Sequence, residues 1–202
     1  MIDLAEAIKK QDAMQEEGKR LLKSLNMLPD LAEFGTVQVQ GSFLYGLMVK
    51  RDIDIYVLID EYDLAKVADY AHKLIVSEKI GKTSVDNMRM ERVLIKGVPN
   101  GHYLGLNVPF EGSMWNFDIW FVKKEDLIDQ SNFPLGWENK LSQEQRDSIL
   151  FLKHNLSEIK LYPHSSKVAG SFASADVYRA VMNDGIKTID ELQEWRKTHP
   201  FY

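Results

Sequence analysis

Two aspartates one residue apart, Asp52 and Asp54, head an apolar run that reads DIDIYVLI. Such a run predicts a strand, and after Asp54 it is apolar enough to suit a central strand covered on both faces. Side chains alternate along a strand, so Asp52 and Asp54 share one face while Ile53 and Ile55 share the other. Two like charges on one face repel, which is a poor arrangement for stability alone. A divalent cation between them relieves that repulsion, and hard carboxylate oxygens suit Mg²⁺.

The residues before this pair supply a complementary feature. Val37 and Val39 alternate with Gln38 and Gln40, a half-buried strand that delivers the chain to Gly41-Ser42. Glycine lets a backbone approach a phosphate closely, and free N–H groups at the start of the following helical segment favour an anion. The Ser42 hydroxyl is a further donor. Lys50 and Arg51, just ahead of the aspartates, are candidate phosphate contacts; as the solvated end of a loop they would have no such role.

A third carboxylate lies in NFDIWFV, residues 116–122. Asp118 is flanked by Phe117 and Ile119, and a lone carboxylate in such a strand is costly unless it is paired or metal-bound. If this strand lies beside the one from 53 to 59, Asp52, Asp54 and Asp118 converge. Three carboxylates so placed hold two Mg²⁺ ions at about 3.5–4 Å, an arrangement suited to in-line phosphoryl transfer.

Gly-Ser, nine residues, then Asp-Ile-Asp, with a later apolar strand carrying one Asp, resembles the signature of the nucleotidyltransferase superfamily related to DNA polymerase beta. The resemblance covers roughly residues 30–122 and is closest in style to the small antibiotic-modifying and minimal members. It implies that Gly41 and Ser42 hold a triphosphate, with Lys50 and Arg51 beside it. It also implies that Asp52, Asp54 and Asp118 are the catalytic and metal-binding residues. The expected fold is α+β, a nucleotidyltransferase-type mixed sheet flanked by helices, with a C-terminal helical extension. Residues 1–125 are expected to form the catalytic domain and residues 126–202 a helical region walling the cleft. The implied cofactors are Mg²⁺, as two ions, and a nucleoside triphosphate, ATP first. The implied acceptor is a small hydroxylated molecule, aminoglycoside- or lincosamide-like. A protein or RNA acceptor is the second reading, and a non-catalytic nucleotide-binding protein of the same fold the third.

The rest of the chain fits a helix-flanked sheet. Residues 3–28 read as a long amphipathic helix, weakened at Gly18 and stopped by Pro29. Residues 63–77 have helical period. A strand from about Asn87 to Lys96 precedes the turn signal Pro99-Asn100-Gly101, and the return strand runs from His102 to Val108 and ends at Pro109. Ser142 with Gln145, and Thr188 with Glu191, read as capping boxes. The segment from Ser174 to Arg196 has helix-turn-helix proportions, but acids open its second helix, so it reads as packing. Trp115, Trp137 and Tyr162 are candidate stacking contacts.

Bulk properties set wide bounds. There are 202 residues, enough for one domain with a small appendage, and 45% are hydrophobic, enough for a true core. With no cysteine, thiol catalysis and zinc thiolates are excluded. A net charge of −5 argues against a dedicated duplex-DNA binder, and nucleic acid is not the expected partner. No leader and no membrane-length apolar run is read, so the expected location is cytoplasmic.

Overall fold

The computed structural model describes residues 2–90, 99–128, 140–163 and 170–199. They fall into two compact units, Met14–Phe133 and a second made of Met1–Ala13 with Pro134–Tyr202. The first unit is built on five strands, β1 (Thr36–Gln40), β2 (Asp52–Leu58), β3 (Lys82–Asn87), β4 (His102–Phe110) and β5 (Ser113–Val122). Their order in the sheet is β1-β2-β5-β4-β3. Only β2 and β5 run parallel; the other neighbours are antiparallel, so the sheet is mixed.

The sheet has one apolar and one polar face. Ile53, Ile55, Val57, Leu104, Leu106, Phe117, Ile119 and Phe121 are buried. They pack with Met14, Leu21 and Leu22 of α1 (Leu4–Ser24), and with Val67, Tyr70, Ala71 and Leu74 of α4 (Leu64–Val76). Met27 and Leu31 of α2 (Met27–Ala32) and Phe43 of α3 (Gly41–Tyr45) complete this core. The intervening residues Gln38, Gln40, Asp54, Tyr56, Tyr103, Asn107, Asp118 and Trp120 are half-buried. Burial along β2 alternates after Asp52, so the expectation of a strand covered equally on both faces is corrected. Tyr56 and Asp54 belong to a polar face that the apolar letters around them had masked.

Several boundaries differ from expectation for local reasons. The first helix passes through Gly18 unbroken, and a Cβ there would lie 2.6 Å from a Phe43 ring carbon and 2.8 Å from Trp115. The glycine therefore permits close packing and does not mark a break. Pro29 does not stop the helix: the break is at Asn26, in a left-handed conformation (φ 53°), and Pro29 sits in the first turn of α2, where a missing N–H costs nothing. Of the strand expected at 87–96, only Asn87 lies in β3; residues 91–98 are outside the described residues. Strand β3, KTSVDN, carries only Val85 as a strong apolar signal and was not read from the sequence. Strand β4 continues through exposed Pro109 to Phe110, where Glu111 (φ 45°) and Gly112 (φ 76°) turn the hairpin.

From Met14 onward helix α1 belongs to the first unit, and a partly buried ion pair ties it to the sheet. Arg51 Nε and Nη2 donate to the Glu17 carboxylate at 2.9–3.2 Å, and Trp115 Nε1 donates to it at 2.8 Å. Arg51, first among these partners, holds the Glu17 carboxyl below its usual range.

In the second unit, α6 (Gln143–Glu158) starts at the Ser142–Gln145 capping box read from the sequence. The Asp176 side chain closes the start of α7 (Ser174–Asp184) by accepting from Ala173 N–H, and α8 (Ile189–Thr198) starts at the Thr188–Glu191 box. Short helix α5 (Lys124–Ile128) follows β5 in the first unit. A buried ion pair joins α7 and α8, with Arg196 Nη2 2.6 Å from Asp176 Oδ2. No described helix is long and apolar enough to cross a membrane.

His154, buried on α6, has its pKa lowered to about 4, chiefly by burial and then by Lys10 and Lys153. The unfolded chain takes up this proton near pH 6.5. The neutral ring's contribution to stability is therefore complete above pH 6.5 and is lost as the pH falls toward 4. The denaturation midpoint of wild type relative to His154→Gln should decline between pH 7 and pH 4.5; a difference constant with pH would contradict this.

Candidate active site

The polar face of the sheet gathers the acidic residues by register alone. Parallel pairing sets Asp54 opposite Asp118 and Asp52 opposite Asn116. One level across the sheet therefore reads Gln40, Asp54, Asp118, Gly105, Ser84 from β1 to β3. One carboxylate oxygen from each of Asp52, Asp54 and Asp118 lies within 4.8 Å of the other two. Asp52 is buried and the other two are half-buried. Three clustered carboxylates in partial burial repel one another strongly. Hard oxygen donors at this spacing fit a divalent cation such as Mg²⁺, so the donor set suits the metal that the resemblance implied.

Lys50 and Tyr103 partly offset this repulsion. Lys50 Nζ lies 2.5 Å from Asp52 Oδ2. Tyr103 donates its hydroxyl to Asp118 Oδ1 at 2.6 Å. Asp118 nevertheless has its pKa raised: burial is the main cause and Asp52 adds to it, while Tyr103 and Lys50 oppose. The Tyr103 phenol is pushed up in turn, by burial and by its bond to Asp118. Its role at Asp118 was not read from the sequence. The signal was the register: Tyr103 and Gly105 share a face, and Gly105 stands opposite Asp118. A Cβ at Gly105 would lie 2.6 Å from the Tyr103 hydroxyl, so the bare backbone leaves room for that hydroxyl.

Gly41 and Ser42 open α3, directly after β1. Gly41 has φ 66°, and a Cβ there would lie 2.0 Å from Asp54 Oδ2. Two independent constraints, backbone conformation and the space taken by Asp54, thus demand glycine. Gln15 Nε2 fastens α3 to α1 by donating to Phe43 O at 2.6 Å.

The other sequence candidates divide. Lys50 is brought to the aspartates; the Arg51 guanidinium is engaged with Glu17 on α1. Trp115 is fully buried in the core and so is no stacking surface. Tyr162 is buried, with its hydroxyl 2.6 Å from Ser174 Oγ. Trp137 lies outside the described residues. Beside the aspartates, on the β5–β4–β3 side, a cleft of about 290 Å³ is lined mainly by polar groups.

No protein-family model and no curated protein sequence matches the chain. Solved structures do match in fold. A cytoplasmic RNA terminal U-transferase aligns at 19% identity with a TM-score of 0.55, over 85% of this chain and 48% of that one. The Cid1 poly(U) polymerase, in a structure with Mg and 3′-dATP bound, aligns at 17% identity and TM-score 0.55, over 85% and 49%. The non-canonical poly(A) polymerase complex GLD-2–GLD-3 aligns at 16% identity and TM-score 0.54, over 99% and 64%. The chain spans about half the length of the first two.

Gly41→Ala should displace Asp54 and strain the α3 start, weakening Mn²⁺ binding at least about tenfold in an isothermal titration. An unchanged affinity in the folded variant would remove Gly41 from the site. At 16–19% identity the likeness is one of fold, and that fold is the mixed α+β nucleotidyltransferase type, with three aspartates on its open face.

Proposed function

We propose that this chain is a metal-dependent nucleotidyltransferase that moves a nucleoside monophosphate from a nucleoside triphosphate to an acceptor hydroxyl. The observation that carries the reading is the cluster of Asp52, Asp54 and Asp118, whose repulsion has no structural benefit and whose oxygens suit a divalent cation. Mg²⁺ held there would neutralise phosphate charge and lower the pKa of the acceptor hydroxyl. Gly41 and Ser42 line the donor side, next to Asp54, and Lys50 turns from Asp52 to phosphate. Arg51 supports the site through Glu17, holding the start of β2 against α1.

The chemistry balances as one displacement. The acceptor oxygen bonds to the α-phosphorus while the bond from that phosphorus to the β-bridging oxygen breaks. Pyrophosphate leaves with the electron pair. Asp118 receives the hydroxyl proton. Tyr103 fixes the plane of that carboxylate through Oδ1.

ATP is the first donor to try. A small hydroxylated acceptor remains compatible with the site. RNA is the second reading, favoured by the fold-similar terminal U-transferase and poly(U) and poly(A) polymerases.

The purified protein should transfer label from an α-labelled triphosphate in the presence of Mg²⁺. Asp52→Asn or Asp54→Asn should reduce the rate by at least about a hundredfold, as expected when charge stabilising the transition state is removed. Chelation by EDTA should abolish transfer. Triphosphate binding with no pyrophosphate release across all four nucleotides and a broad acceptor panel would reject the reading in favour of a binding protein.

A further inference from the structure

We infer that the outer edge of β1, with the apolar groove beside it, is an interface for a second copy of this chain. Such an interface does not depend on the transfer chemistry. Strand β1 lies at one margin of the sheet and pairs only with β2 among the described strands. Alternate N–H and C=O groups of an edge strand point away from the sheet, where another strand can pair with them. Edge strands are ordinarily guarded by charge, proline or a bulge. The opposite margin, β3, follows that rule, with Lys82 and Asp86 exposed along it. Strand β1 does not. It reads TVQVQ, none of its residues is buried, and its register with β2 runs without a bulge. No charged residue stands between Glu33 and Lys50.

An apolar groove of about 530 Å³ runs beside this edge, and all its lining residues belong to the first unit. Strand β1 contributes Val39 and β2 contributes nothing, so the groove opens at the margin of the sheet. Leu22 of α1, Leu28 and Pro29 of α2, and Phe43 and Leu44 of α3 make the rest of the apolar wall. Leu44 is 50% exposed. Apolar surface beside an unguarded strand marks an interaction site.

The occupant follows from the symmetry of the pattern. Paired with itself antiparallel about Gln38, the strand sets Val37 opposite the partner's Val39, and Thr36 opposite the partner's Gln40. Val37 and Val39 both pack toward the core, so apolar meets apolar on that side and polar meets polar on the other. Helix α2 precedes β1 and α3 follows it. A two-fold axis through Gln38 therefore brings Leu44 of each copy to the partner's Leu28 and Pro29, and the two grooves close on one another. The α1 wall carries both signs: Lys19 and Lys23 line the groove, and Glu16 lies 2.7 Å from Lys19. Two such walls running antiparallel match Glu16 with the partner's Lys23. Lysines alone would select an acidic stranger; the mixed signs favour a second copy. The three aspartates stand on β2 and β5, inside this edge, so each copy keeps its own cluster.

Sedimentation equilibrium of the full chain should show a dimer at about 100 μM that dissociates on dilution. Thr36→Lys and Leu44→Lys put charge at exposed positions, so the fold is retained, as circular dichroism should verify. Each should weaken dimerisation at least about tenfold. A single thiol locates the contact, because the chain has no cysteine. Directly opposed residues of an antiparallel pair have Cα atoms about 4.5–5.5 Å apart, within reach of a disulfide. Under copper–phenanthroline oxidation, Gln38→Cys should form a linked dimer at least about tenfold faster than Val76→Cys, an exposed position on α4. A wild-type monomer at the higher concentration overturns the inference and leaves the edge to a strand of another protein. A dimer that both lysine variants leave intact, or equal cross-linking at the two thiol positions, puts the contact elsewhere and overturns it as well.

Discussion

The parallel register between β2 and β5 is the constraint on which the site depends. It places Asp54 opposite Asp118 and brings three carboxylate oxygens within 4.8 Å. A slip of β2 by one residue would turn Asp52 and Asp54 into the core and Ile53 and Ile55 out of it, away from Asp118. The hydrophobic core therefore enforces the geometry of the acidic cluster. Ile53, Ile55, Phe117 and Ile119 are all fully buried, so the register cannot relax to separate the charges. The core's stability holds together groups that would otherwise move apart.

Around that cluster, the chain spends small residues where space is needed and polar ones where charge is. Gly41 leaves room for Asp54 and Gly105 for the Tyr103 hydroxyl. Lys50 and Tyr103 each engage one aspartate, and Asp118 is still pushed toward the protonated state by burial. A divalent cation bound there would relieve the repulsion that remains.

Much of this was legible in the sequence because it lies in local patterns. The alternation of VQVQ, the Gly-Ser turn, the spacing to Asp-Ile-Asp and the isolated Asp in NFDIWFV identify three strands and three aspartates. What stayed hidden depends on long-range pairing. Tyr103 and Asp118 are brought together by the β4–β5 register, and Gly105 looks like any strand glycine until its opposite number is known. Arg51 and Trp115 read as site candidates from position, but Glu17, far off in α1, takes them both. Gly18 and Pro29 mislead for a related reason: propensity marks them as helix breakers, whereas tertiary packing and first-turn geometry accommodate them.

If the aspartate cluster binds a cation at a cost to the folded protein, the thermal midpoints of wild type and Asp54→Asn, each with and without Mn²⁺, report both effects. Mn²⁺ should raise the midpoint of wild type and leave the variant nearly unmoved, and the variant without metal should melt no lower than wild type. A variant that melts well below wild type without metal, or that gains as much from Mn²⁺ as wild type does, would contradict it.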